Sequence, residues 1–213
     1  MTKLYCSFET LKVFILTAFT AVFSTNISSA QEVEKHLIYF SNEVNIGNYF
    51  GYSGDLNYVY NEKYSAKIGV VGNIRRPTNQ PADYTTGVVG LLSFGLYGPY
   101  QTMGSVNLQV GRIYYLNSKR NTRLNAGVGI GFTTVETVEN WESAGGSSFA
   151  ANYTYDLNTK NTISLIINPK IEFPLGKVFG FTISPTAVIN NKSSYYGIGL
   201  GYMIGVIRSK PVS

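Results

Sequence analysis

In Leu124-Asn125-Ala126-Gly127-Val128-Gly129-Ile130-Gly131-Phe132 every second residue is apolar, and the residues between are Asn or Gly. Successive side chains of a strand point to opposite faces, whereas a helix repeats near 3.6, so a strict period of two marks a strand with two unlike faces. One face here is greasy and the other has almost no side chain.

Outward from this stretch, Tyr196-Gly197-Ile198-Gly199-Leu200-Gly201-Tyr202 repeats the pattern, and Tyr64 to Ile74 keeps Ala66, Ile68, Val70 and Ile74 on one face. Tyr52 to Tyr60, Val106 to Leu116, Ile163 to Phe173 and Phe179 to Ile189 follow it, and His36 to Ile46 is a less regular member. The pattern predicts eight strands, close to the length of about 9–11 residues that a tilted strand needs to cross a bilayer. The connections alternate in length. Asn61-Glu62-Lys63, Asn117 to Asn121 and Pro174 to Lys177 are tight, while Arg75 to Met103 and Val135 to Asn161 are long. In an up-and-down meander that starts at the tight-turn side, all short turns fall on one side and both long segments on the other, as in outer-membrane barrels.

Residue identity decides which face is outward. A narrow eight-stranded barrel has interior room only for close-fitting side chains, which suits the columns Gly127, Gly129, Gly131 and Gly197, Gly199, Gly201. A water-soluble barrel would have an exterior rich in Lys and Glu, yet charged residues are only 14% of the chain and many fall in turns. The apolar face is therefore expected to touch lipid, and the expected fold class is all-β, a transmembrane antiparallel up-and-down β-barrel. Glu43, Asp55, Lys67, Arg123, Lys170 and Glu172 then point into the lumen. Buried charges persist only when paired, so these six are expected to form a compensating network that plugs the barrel. Tyr58, Tyr60, Tyr64, Tyr114, Tyr115, Phe173 and Phe179 lie near strand ends and read as interfacial girdles.

The first thirty residues carry Lys3 and Lys12, an apolar run from Val13 to Phe23, and the small residues Ser28, Ser29 and Ala30. That order is expected of a secretory signal peptide cleaved after Ala30, with residues 31–213 forming the barrel domain. The sole cysteine, Cys6, falls in the removed segment, so no disulfide is expected. Removal of Lys3, Lys12 and Glu9 from the 17 basic and 12 acidic residues leaves a net charge of +4. It is spread without a basic stripe, which argues against a nucleic-acid partner.

Three features fit badly. Arg112 falls on the outward register and is expected to snorkel to an interface or sit beside a bulge. Pro169 and Pro185 interrupt outward-register positions and each removes a ladder donor. Val88-Val89-Gly90-Leu91-Leu92-Ser93-Phe94-Gly95-Leu96 is too apolar for a simple outer loop, and with Phe149 to Tyr155 it offers an alternative of ten strands.

Gly111-Arg112-Ile113-Tyr114-Tyr115-Leu116-Asn117-Ser118-Lys119 and Ile167-Asn168-Pro169-Lys170-Ile171-Glu172-Phe173-Pro174 resemble segments of small outer-membrane barrels of Gram-negative bacteria, the OmpX and OmpA-barrel type. The resemblance covers nearly all of residues 36 to 208. It implies fold, outer-membrane location and assembly by the outer-membrane machinery, and it carries over no site residue. The chain departs from such barrels, which commonly finish on an aromatic residue, by ending Arg208-Ser209-Lys210-Pro211-Val212-Ser213.

Enzymatic barrels of this size generally use a His near the outer rim. The only His, His36, is expected at the opposite end, as a boundary residue. Glu136, Glu139 and Glu142 cluster with Trp141 in a segment expected to be a solvated outer loop. No metal-ligand spacing occurs, and the Gly-x-Gly-x-Gly runs lack the following helix of a dinucleotide site. The expectation is a non-enzymatic, cofactor-free, monomeric outer-membrane protein that displays long loops for envelope structure, adhesion or recognition. The alternative is a small-solute or lipid transporter whose path is lined by Tyr, Trp141 and the 88–96 segment.

Overall fold

The computed structural model describes residues 36–93, 98–145 and 149–209. The leader with Cys6, the Phe94-Gly95-Leu96 part of the apolar segment, and residues 210–213 lie outside them. The elements are β1 (His36–Gly47), β2 (Phe50–Tyr60), β3 (Tyr64–Arg75), α1 (Gly87–Leu92), β4 (Gln101–Tyr115), β5 (Arg123–Ser143), β6 (Tyr153–Pro174), β7 (Phe179–Ile189) and β8 (Tyr195–Gly205). Each strand pairs antiparallel with the next, and β1 pairs with β8, so the sheet closes into an eight-stranded barrel. Closure leaves no edge around the ring.

The ten-strand alternative is overturned. Gly87–Leu92 is a short helix, and Tyr153 onward belongs to β6, opposite Ser143 of β5. The second long excursion is also mostly strand. β5 and β6 run on to Ser143 and Tyr153, with a register shift between Glu139 and Glu142. Alternation is weak there as a sequence signal because Val138, Trp141, Tyr153, Tyr155 and Leu157 are interspersed with polar residues and neither face is uniformly apolar.

Two ends differ. At the short-turn end, β2 and β3 join through Asn61 and Glu62, both at positive φ (51° and 52°), with Lys63 N–H donating to Tyr60 O at 3.0 Å. Left-handed backbone at both central positions matches the right-handed twist of a hairpin. Glu62 holds this conformation while its carboxylate binds Arg120 at 3.0 Å and Ser209, tying the β2–β3 and β4–β5 turns to the segment after β8. At the hairpin end, the β3–β4 connection is fastened to the tip of β5–β6. Thr85 N donates to Asn152 Oδ1 at 2.8 Å, Asn152 Nδ2 donates to Asp83 O at 2.8 Å, and Tyr153 OH donates to Asp83 at 3.0 Å.

The faces are inverted relative to a water-soluble protein. Ile130, Leu200 and Ile183 point outward, at 63%, 51% and 37% exposure, and belong to an apolar belt that includes Ile68, Val106, Leu108 and Ile198. A continuous apolar exterior of this kind marks an interaction surface. Asn42 is a polar residue on this face, and it is covered by Tyr52, whose hydroxyl donates to it, and by Tyr202, whose hydroxyl accepts from it at 3.3 Å.

Pro169 and Pro185 are placed opposite one another. β6 and β7 pair at Ile167↔Ala187 and again at Ile171↔Ile183, with no pairing between, and that register sets the prolines face to face. In this row each residue would donate one N–H to the other strand, and neither proline has one. Asn168 Nδ2 donates instead to Pro185 O at 3.3 Å and to Thr186 Oγ1 at 2.6 Å.

Candidate functional site

The inward positions stack in layers. At the short-turn end Leu37, Tyr39, Val59, Ile113, Met203 and Ile207 form an apolar stopper. Next to it lies Arg123, whose Nε donates to Glu172 Oε2 at 2.5 Å and whose Nη1 donates to Ile207 O at 2.9 Å. Glu172 also accepts from Tyr39 OH at 2.6 Å and Asn125 Nδ2 at 3.3 Å. Both charged partners are essentially fully buried.

Lys170 occupies the middle, with its Nζ 2.8 Å from Glu43 Oε1 and 3.2 Å from Asp55 Oδ2. Thr182 and Ser184 donate to Glu43 at 2.9 and 2.7 Å, and Lys67 donates to Asn168 Oδ1 at 2.5 Å while standing 3.8 Å from Asp55. All six charged side chains named from the sequence are thus inside, three of each sign. The glycine column gives them room. A Cβ on Gly199 would stand 2.7 Å from Asn45 Oδ1 and 2.9 Å from Glu43 Oε2, and one on Gly69 would collide with the Asp55 carboxylate.

Above the charges lies a neutral polar layer, in which Thr133 contacts Ser105 at 3.0 Å and Ser164 at 2.6 Å. A second apolar stopper of Tyr49, Met103, Val135, Ile166, Val188 and Tyr195 follows. A gap of about 30 Å³ bordered by Glu43, Lys67, Asn168 and Tyr195 has room for about two waters. The sequence reading missed Tyr39, Ser41, Asn168, Thr182 and Ser184 as partners of the charges. Tyr39, Ser41 and Glu43 alternate with Ile38, Phe40 and Asn42, so the same period of two could have found the first two.

The chemistry candidates do not converge. His36 Nδ1 lies 2.7 Å from Tyr58 OH, and its ring stacks on Tyr58 at the start of β1. Glu136, Glu139 and Glu142 lie on β5, a strand and not the loop expected for them. Asn158 Nδ2 and Thr137 Oγ1 donate to Glu139 at 2.8 and 3.0 Å and hold its carboxyl below the usual range. Trp141 on the projecting hairpin packs with Tyr153 and Tyr155 of β6 and with Tyr84 of the β3–β4 connection, at ring separations of 5.3 to 6.3 Å, and does not line a path through the barrel. Among the described residues no three His, Cys, Asp or Glu side chains gather as metal ligands.

Among the described residues, beyond Glu136 β5 has no strand partner but β6, and before Leu165 β6 has no strand partner but β5. The hairpin therefore leaves the barrel with no third strand beside it among the described residues: the β3–β4 connection covers its β5 edge, where Asn79 Nδ2 donates to Val138 O at 2.8 Å, and its β6 edge pairs with no strand.

These features define a closed eight-stranded up-and-down barrel, apolar outside and plugged by paired charges within. It resembles small outer-membrane barrels among solved structures. The Yersinia pestis outer membrane protein Ail in a phospholipid nanodisc is 14% identical, covering 79% of this chain and 98% of that one at a TM-score of 0.46. The N-terminal barrel domain of Pseudomonas aeruginosa OprF is 8% identical, covering 82% and 99% at 0.44. No protein-family model matches, and no curated protein matches.

Proposed function

We propose that this is a non-enzymatic outer-membrane protein whose barrel anchors a recognition hairpin outside the cell. The apolar belt would sit in the hydrocarbon, and residues 1–30 would serve as the cleaved export signal. The observation that carries the reading is the contrast between a filled lumen and a projecting hairpin whose β6 edge pairs with no strand among the described residues. Side chains from every strand occupy the interior, which suits a fixed support, while the unpaired β6 edge suits addition of an extended segment from a partner.

Two measurements test the reading. Protein extracted from membranes should migrate faster on a gel unboiled than boiled, because a closed barrel stays compact in detergent; equal mobility sinks the membrane reading. Replacing residues 140–155 by Asn-Gly, which closes a tight hairpin between Glu139 and Asp156, should leave that gel shift intact and abolish adherence of displaying cells to host-cell surfaces. Unchanged adherence removes the hairpin from the function.

A further inference from the structure

Charge is distributed unevenly along the barrel. At the short-turn end stand Lys63, Arg112, Lys119, Arg120, Lys177 and Arg208, against Glu62 alone among the described acidic residues. The lumen balances three cations with three carboxylates. At the hairpin end Arg75, Arg76, Lys160 and Lys192 face Asp83, Glu136, Glu139, Glu142 and Asp156. The net positive charge of the described chain therefore sits at one rim.

Arg112 differs from the other rim cations in pointing sideways. It shares the outward register of β4 with Val106, Leu108 and Val110, all more than half exposed, and precedes Tyr114. The ladders on both sides are continuous, setting it opposite Tyr64 of β3 and Ala126 of β5, so no bulge turns it away. Its guanidinium lies 5.4 Å from the Tyr114 ring, and among the described residues no carboxylate is within ion-pair distance of it. A guanidinium at the edge of an apolar belt calls for a counter-charge, and its planar fork matches a phosphate. Ala126 leaves space beside it, and the Lys63 carbonyl accepts from Ile113 N at 2.8 Å, bringing a second cation's backbone to the same place.

We propose that Arg112, framed by Tyr64 and Tyr114, binds the phosphate of an anionic phospholipid in the leaflet at the short-turn end, with the rim cations supplying the surrounding field. This rests on the membrane-spanning reading above.

Protein purified from membranes and exchanged into phosphatidylcholine nanodiscs would be titrated with phosphatidylglycerol, and the retained lipid counted by native mass spectrometry. The wild-type protein should retain phosphatidylglycerol about fivefold over phosphatidylcholine, the scale of one interfacial cation. Arg112→Gln should remove the preference, Arg112→Lys should keep most of it, and Lys177→Gln should change it less than about twofold. Equal retention of both lipids by the wild type overturns the proposal, as does a loss in Lys177→Gln as large as in Arg112→Gln. Displacement by millimolar inorganic phosphate would instead mark a free-anion site and overturn the lipid assignment. The gel shift separates the failures: without it in any lipid the membrane reading falls, and with it only this proposal does.

Discussion

β5 and β6 pass through two environments, and the same pair of strands behaves differently in each. Within the ring each has two neighbours, and its inward side chains are locked by charge pairs such as Arg123–Glu172. Beyond Glu136 and before Leu165 each has one strand neighbour among the described residues, the β5 edge meeting the β3–β4 connection through Asn79 and the β6 edge pairing with no strand. The number of strand partners separates anchoring from exposure. A continuous strand can thus be rigid at one end and available at the other.

The contrast breaks most sharply if a buried charge is left alone. Glu172→Leu strands Arg123 beside Tyr39 and should lower stability by about 3–5 kcal/mol, measured by urea unfolding in lipid vesicles. The double variant Arg123→Met/Glu172→Leu should recover most of that loss, since a matched apolar replacement leaves no orphan charge. Failure of the double variant to recover would mean that the network does more than neutralise itself. Gly199→Ala adds a methyl group against Glu43 and Asn45 and should cost about 1–3 kcal/mol in the same assay.

The hairpin half should respond otherwise. Trp141→Ala should leave barrel unfolding within about 0.5 kcal/mol of wild type, while amide exchange across residues 137–143 and 153–158 quickens. A matching fall in barrel stability would show the two regions to be one cooperative unit.

The smallest effect is with pH. Glu139 has its carboxyl held below its ordinary value by Asn158 and Thr137. Its contribution is complete above the unfolded carboxyl value near 4.3 and lost as pH falls through the lower folded one. Exchange in the hairpin should therefore be flat from pH 7 to 5 after correction for intrinsic rates and rise only below that window. A rise already near pH 6 would point to another titrating group.

The ring was legible because lipid on one side and a crowded lumen on the other impose a period of two, as at Leu124 to Phe132. The same logic put Glu43, Asp55, Lys67, Arg123, Lys170 and Glu172 inside, but not which met which, because barrel stagger brings residues such as Lys67 and Asn168 together from opposite walls. The outer parts of β5 and β6 escaped notice since, clear of the ring, neither face is uniformly apolar and the alternation weakens. Val88 to Leu92 turned a helical turn where an extra strand was an alternative, a short apolar run being ambiguous between the two.

The facing prolines carry a mechanical consequence. A cask whose staves are all cross-tied fails nowhere in particular, but here one seam lacks its rungs at the row where Pro169 meets Pro185. Breathing of the cylinder, and its first parting under heat, should begin there, with Asn168 serving as the only clasp across that row among the described side chains.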